Sequence, residues 1–284
     1  MLRHASGRFW LTLTVALVAT GLPGCASFKE IATYASLSAK AAGYDEVTKD
    51  YIGAIDRRKQ YQPQKFQGEL EAIKMRREAQ STSLDVLQQT ITDYMLGLGG
   101  LASGNMRTYD KSLKNLSDNL SKATLLNNIE RDSVGALSTL LVRSVTVVYL
   151  QHEIRKLIQD GNQPLQEVII ATRKIIRNGI IADLQAESVV VKRYYDNFML
   201  APDNPAEPVA MALAEEAKVE ALGRVDKRIQ SAQRYNAVLE NIAQGHQYLY
   251  DHQDTIGNDK LGRQFEPYIE ALRLTYRDLL DVAR

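Results

Sequence analysis

The stretch LDVLQQTITDYMLGL, residues 84–98, decides the fold. Its apolar members Leu84, Leu87, Ile91, Tyr94 and Leu98 lie 3, 4, 3 and 4 positions apart. At 3.6 residues per turn that spacing puts all five on one helix face, whereas a strand would scatter them over both faces. The same register recurs at Leu222, Val225, Ile229, Ala232 and Leu239, with Asn236 as its polar member, and again at Phe265, Ile269, Leu272, Tyr276 and Leu279. Each stripe must bury against partner helices, because a lone amphipathic helix is marginal in water.

Outside these stripes the chain stays helix-favouring. Prolines are confined to positions 23, 63, 164, 202, 205, 208 and 267, and the intervals between them are rich in Ala, Leu, Glu, Gln, Lys and Arg. Alternating apolar and polar runs flanked by turn dipeptides are scarce. The expected fold is all-α, an elongated antiparallel helical bundle with coiled-coil-like packing. A coarse map runs from Phe28 to Lys59 with a bend near Gly43, Lys65 to Leu98, Met106 to Asp160 weakened near Asn127-Asn128, Pro164 to Leu200, Pro205 to His252, and Asp259 to Arg284. Gly97, Gly99, Gly100 and Gly104 are expected around one turn, and Asp160-Gly161-Asn162 is expected to stop a helix before Pro164 begins the next. A helix of about 40 residues would be about 60 Å long. Residues 25–284 read as a single bundle, with a possible subdivision at the proline-rich turn 201–209.

The N-terminus reads differently. MLRHASGR carries Arg3 and Arg8 without an acidic residue, and Phe9 to Leu22 is apolar but shorter than the roughly 20 residues needed to cross a bilayer. Leu22-Pro23-Gly24-Cys25 follows, holding the only cysteine of the chain. This segment resembles a bacterial lipoprotein signal, whose lipobox is a Leu, two mostly small residues and a Cys; Pro23 departs from the usual Ala or Ser. The resemblance covers residues 1–27. It implies that residues 1–24 are a signal peptide cut before Cys25, that the Cys25 thiol is diacylglycerylated, and that the new amino group is acylated. Ala26-Ser27 lacks the aspartate that commonly retains such proteins at the inner membrane, so the implied address is the periplasmic face of the outer membrane. A solitary thiol agrees with lipidation, since no second one exists to pair with it.

Without residues 1–24 the chain keeps 33 basic residues against 34 acidic ones. That balance argues against nucleic acid as a partner, because phosphate binding needs a concentrated basic surface. No stretch after Cys25 reads as membrane-spanning; Val134 to Leu150, the most apolar, is interrupted by Arg143 and suits a buried bundle helix.

Catalytic and metal motifs are missing. None of His152, His246 and His252 has a Glu three residues before it, as a carboxylate-bridged metal bundle requires, and His152-Glu153 has Lys156 where a zincin site needs its second His. His246 and His252 project about 240° apart on a helix, so the segment 246–254 reads as a helix end with tyrosines against the bundle and histidines near solvent. Glu215-Glu216 diverge on adjacent helix positions and read as a solvated face. No Gly-x-Ser-x-Gly elbow, phosphate-binding loop or calcium loop occurs. No catalytic residue, metal ligand or cofactor is therefore expected, and Cys25 is the one assigned site. Two stretches admit a reading as surfaces: Tyr94 to Ala102 as an exposed docking or membrane-contact loop, against the favoured reading that its glycines allow a tight turn, and Arg173 to Arg177 with Lys192-Arg193-Tyr194-Tyr195 as a basic face for an anionic lipid or glycan, against the favoured reading of a solvated helix face.

The leading functional reading is a lipid-anchored periplasmic interaction protein, held to the membrane through Cys25 and binding another envelope protein. A ligand-binding bundle is the alternative, with Tyr94, Tyr149, Tyr195 and Tyr276 around a cavity. An envelope hydrolase with an unrecognised site is the third.

Overall fold

The computed structural model describes residues 25–105, 110–144, 150–199 and 207–283. Among these residues the chain is all helical, in the order α1 (Cys25–Ala42), α2 (Glu46–Lys59), α3 (Gln67–Ser103), α4 (Asp110–Leu120), α5 (Asn128–Ser144), α6 (Leu150–Ile175), α7 (Ala182–Met199), α8 (Pro208–Asp251) and α9 (Asp259–Val282). The expected signal 1–24, Tyr149 and most of the turn 201–209 lie outside the described residues. Cys25 opens α1, and its side chain also lies outside them.

Four helical columns form the bundle. The first is α1 followed by α2, broken at Gly43-Tyr44-Asp45, where the bend was expected. The second is α3, which runs back beside it, as the pairs Thr48 with Gln88, Tyr51 with Gln80 and Lys59 with Glu71 show. The third is α6 continued into α7 through a π-helical turn at Ile176–Ile181. It is antiparallel to α3, since Tyr94 meets Leu157 whereas Arg77 meets Asp183. The fourth is α8, antiparallel to α6 and α7: Gln166 bonds Ala243, and Asp196 pairs with Lys218. The columns α3 and α8 face each other across the diagonal. Helix α9 packs on α1 and α8, while α5 packs on α3 and α6. One contiguous apolar core draws on all nine helices, including residues on both sides of 200–206.

The stripe on α3 is buried as read: Leu84, Leu87, Ile91, Tyr94 and Leu98 expose almost nothing. Phe265, Ile269, Leu272 and Leu279 of α9 are buried likewise. The glycine-rich segment after it differs from expectation. Helix α3 continues through Gly97, Gly99 and Gly100 and stops only at Gly104, whose φ of 69° is left-handed. Asn105 N–H bonds the Gly100 carbonyl at 2.8 Å and Gly104 N–H bonds the Leu101 carbonyl at 3.2 Å, a Schellman-type end. Gly97 and Gly99 serve packing instead, since added Cβ atoms would collide with Leu141 of α5 and press on Ala35 of α1. The segment Tyr94 to Ala102, read as a turn or, alternatively, a docking loop, is thus largely buried helix.

The predicted stop at Asp160-Gly161-Asn162 is also overturned. Helix α6 runs straight through it and through Pro164. A proline removes one hydrogen bond to the carbonyl four residues back, here that of the exposed Asp160, which water can satisfy. Gly161 is required by its neighbour: an added Cβ would lie 2.7 Å from Cε2 of Tyr94. Conversely, the single predicted helix from Met106 to Asp160 is three. The weakness at Asn127-Asn128 is a reciprocal cap, in which Asn127 Oδ1 accepts from Glu130 N–H at 3.0 Å and Glu130 Oε2 accepts from Asn127 N–H at 2.8 Å. Arg131 closes the turn before it, donating to the carbonyls of Leu120, Ala123 and Leu126.

Two glycines test this packing in opposite directions. Gly161→Ala should lose about 1–3 kcal/mol by forcing the Tyr94 ring aside. Gly223→Ala, in the interior of α8 with open space at the Cβ position, should gain up to about 1 kcal/mol from helix propensity. Chemical denaturation of the two variants reads both signs.

Candidate functional site

Polar side chains inside the bundle come first, because they set where the surface features can sit. Asp251 accepts from Gln247 Nε2 at 2.8 Å, which fixes the amide so that Gln247 Oε1 accepts from Asn162 Nδ2 at 2.8 Å. Asn162 Oδ1 then accepts from Nδ1–H of His246 at 2.9 Å. Nε2 of His246 is left as an acceptor for the Tyr94 hydroxyl, 2.7 Å away, whose single proton is shared with the Leu157 carbonyl at 3.0 Å. His246 is wholly buried, contrary to the expectation that both histidines of the segment 246–254 sit near solvent. Its ring is accommodated because α3 and α6 supply a partner for each nitrogen. His252 is half-buried and stacks on Tyr248 at 4.1 Å.

Burial depresses the His246 pKa to about 3. The unfolded chain takes up a proton near the ordinary histidine value and the folded chain does not, so stability present above about pH 6.5 is lost as pH falls towards 3. Between pH 7 and pH 5 this single group should remove about 2 kcal/mol of unfolding free energy. Urea denaturation across that range tests it, and His246→Gln should flatten the slope.

A second buried tie crosses the bundle at Gln88, six residues before Tyr94 on α3. Gln88 of α3 accepts from Thr48 Oγ1 at 2.7 Å and donates to the Tyr235 hydroxyl of α8 at 2.7 Å; Tyr235 donates onward to the Ala42 carbonyl at 2.6 Å. Further along, charge replaces amides. Arg57 holds the buried Glu187 through two bonds of 2.8 and 3.1 Å and Asp50 through one of 2.9 Å, while Arg228 approaches Asp50 at 3.3 Å and Arg77 pairs with Asp183. Burial pushes the Asp50 carboxyl above the usual range against the pull of both arginines. These pairs lie just beyond the π turn. The residue that such a turn adds advances the following helix face by about 100°.

This charged layer supports the end of the bundle opposite the start of α1. Residue pairs at Ala35 with Gly99 and at Lys59 with Glu71 mark the two ends of α3, separated by roughly 40 Å of helix rise. At the far end a cleft of about 630 Å³ opens between the end of α2, the turn to α3, the first turns of α3 and the last turns of α7. Leu70, Ile73 and Val190 give it an aliphatic lining, Tyr61, Phe66, Tyr194 and Phe198 add rings, Gln62 and Asn197 add amides, and Arg58, Arg193 and Glu69 bring charge. Tyr61, Tyr194 and Tyr195 brace one another edge-on or tilted at 5.2 to 6.2 Å between ring centres. The Nε of Arg58 is buried with no hydrogen-bond partner. On the neighbouring start of α8, Val209, Leu213 and Val219 are each at least 60 % exposed.

Comparison with protein-family models, with curated proteins and with solved structures finds no match. Local geometry therefore carries the functional argument alone.

The predicted site residues are dispersed. Tyr94 is tied up in the core with His246, Tyr276 lies half-buried on α9, and Tyr195 stands behind the cleft wall, so the four-tyrosine cavity is not what these three described members build. The basic stretches separate too: Arg173 pairs with Glu240 at 2.8 Å, whereas Arg193 and Tyr194 reach the cleft. Arg58 and Phe66 escaped the sequence reading, since nothing local marks two residues that meet α7 more than a hundred positions later. Among the described residues no group of three or more His, Cys, Asp or Glu is placed to hold a metal, and no helix is long and apolar enough to cross a membrane.

Proposed function

We propose that this chain is a lipid-anchored interaction protein of the bacterial cell envelope, tethered through Cys25 and using its bundle as a spacer. Anchoring at the start of α1 would leave the opposite end of the bundle farthest from the membrane surface. Two or more acyl chains make such a tether stable, whereas one binds only marginally.

The observation that carries the docking reading is the first part of α8. Val209, Leu213 and Val219 are strongly exposed and fall within about 120° of one another around the helix. Isolated exposed apolar residues are ordinary, but a stripe of them on a helix end is the pattern that another helix covers. Glu216 and Glu220 lie within the same arc and Glu215 beside it, so this exposed face is apolar and acidic together; Glu220 pairs with Arg224, and Lys218 is held by Asp196 at 2.9 Å. The matching partner surface is an amphipathic helix of an envelope protein whose apolar stripe is bordered by Lys or Arg.

A photo-crosslinking side chain placed at Val209 or Leu213 in cells should yield one discrete adduct, and Glu215→Lys with Glu216→Lys should reduce that adduct severalfold. The same side chain at Leu274, on α9, should not yield it. Equal adducts from all three positions, or none, contradict docking on α8. Cys25→Ser should shift the protein out of the membrane fraction; unchanged fractionation contradicts the tether.

A further inference from the structure

We infer that the cleft between α2, α3 and α7 is a binding site for an anionic amphiphile, a carboxylate or phosphate head on an alkyl chain. The inference goes beyond the docking face on α8, involves none of its three apolar residues, and stands or falls separately from it.

Size and lining come first. A space of about 630 Å³ lies within the roughly 300–1,000 Å³ typical of small-molecule sites. Leu70, Ile73, Val190, Phe66 and Phe198 give it an apolar lining suited to hydrocarbon, while Gln62 and Asn197 add polar groups beside the arginines. Phe66 and Phe198 on the lining are each more than 40 % exposed, which is costly surface for a large aromatic to leave in water and is covered if a chain lies along it.

Charge decides which head group belongs there. Most arginines that pack inside this bundle are paired: Arg57 with Glu187 and Asp50, Arg77 with Asp183, Arg173 with Glu240. Arg58 and Arg193 line the cleft and, among the described residues, form no ion pair. An anionic oxygen in the cleft would accept charge-assisted bonds from these two guanidinium groups. Glu69 is the one carboxylate on the lining, in the first turn of α3, where the helix dipole already favours it. Two guanidinium groups against one carboxylate leave the cleft positive, which suits an anion and disfavours a cationic head. The tyrosine cluster behind Tyr194 holds the wall in place, so the site is preformed.

Full-length protein in its native membranes, exposed to photoreactive clickable lipids, provides the test. Three diazirine probes are used: a fatty acid, a phosphatidic acid, and an alkylamine of matched chain length. Labelling by either anionic probe, mapped by mass spectrometry to the segments around 58–73 and 190–198, is the expected result, and the stronger of the two identifies the head group. Arg58→Gln combined with Arg193→Gln should lower that labelling at least tenfold, the equivalent of losing one charge-assisted hydrogen bond. Neither arginine holds an ion pair, so the variant should keep its melting temperature. Val190→Trp, which adds bulk to the lining, should block labelling while both arginines remain. Equal labelling by the alkylamine, labelling that maps elsewhere, or labelling indifferent to both variants overturns the proposal.

Discussion

The hydrogen bond between the Tyr94 hydroxyl and Nε2 of His246, at 2.7 Å, joins α3 to α8 across the diagonal of the bundle, and the rest of the arrangement depends on ties of this kind. Heptad-like apolar stripes specify that helices pack, but they tolerate a slip of three or four residues, because one leucine replaces another at the interface. Buried hydroxyls, amides and imidazoles do not tolerate it. A slipped register would strand Tyr94, His246, Gln88 and Tyr235 without partners, each at a cost of about 1–3 kcal/mol. The buried glycines obey the same geometry: Gly161 makes room for the Tyr94 ring and Gly245 for that of Tyr34, whose hydroxyl reaches the Ile242 carbonyl. Small residues and polar aromatics therefore lock together at one level of the bundle.

From that level the polarity of the interior changes along its length. Towards the start of α1 the contacts are aromatic, with Tyr34 and Phe265 edge-to-face at 5.0 Å and Tyr248 against Tyr268 at 4.6 Å. Towards the other end Arg57, Glu187, Asp50, Arg77 and Asp183 form a charged layer. Buried ion pairs are weak sources of net stability but punish misalignment, because a displaced partner leaves an uncompensated charge. The layer is well suited to hold α2, α3 and α7 at a fixed separation. Beyond it those three helices stand apart around the cleft rather than closing upon one another. The proposed tether, spacer and binding end are thus arranged in sequence along one bundle.

Helix type, the bend near Gly43 and the stripes on α3 and α9 were legible in the sequence because periodicity is a local signal. Glycine and proline misled wherever their reason was tertiary. Gly97, Gly99 and Gly161 look like terminators in isolation, and only the Leu141, Ala35 and Tyr94 side chains opposite them explain why a helix runs on. His246 was misplaced for the same reason: a histidine at a helix end reads as solvated until Asn162, 84 positions earlier, and Tyr94, 152 positions earlier, are brought to its two nitrogens. Of the cleft, Arg193 and Tyr194 were noticed as part of a basic stretch, while Arg58 and Phe66 carry no local mark. Long-range pairing between helices distant in sequence is what periodicity cannot encode.

A double-mutant cycle on Tyr94→Phe and His246→Phe tests the diagonal tie most directly. The account predicts that each single change costs about 1–3 kcal/mol and that the double change costs less than their sum by at least about 1 kcal/mol. Additive losses, within about 0.5 kcal/mol, would show that the two groups act independently and would contradict the claim that polar contacts across the core set the register of the bundle.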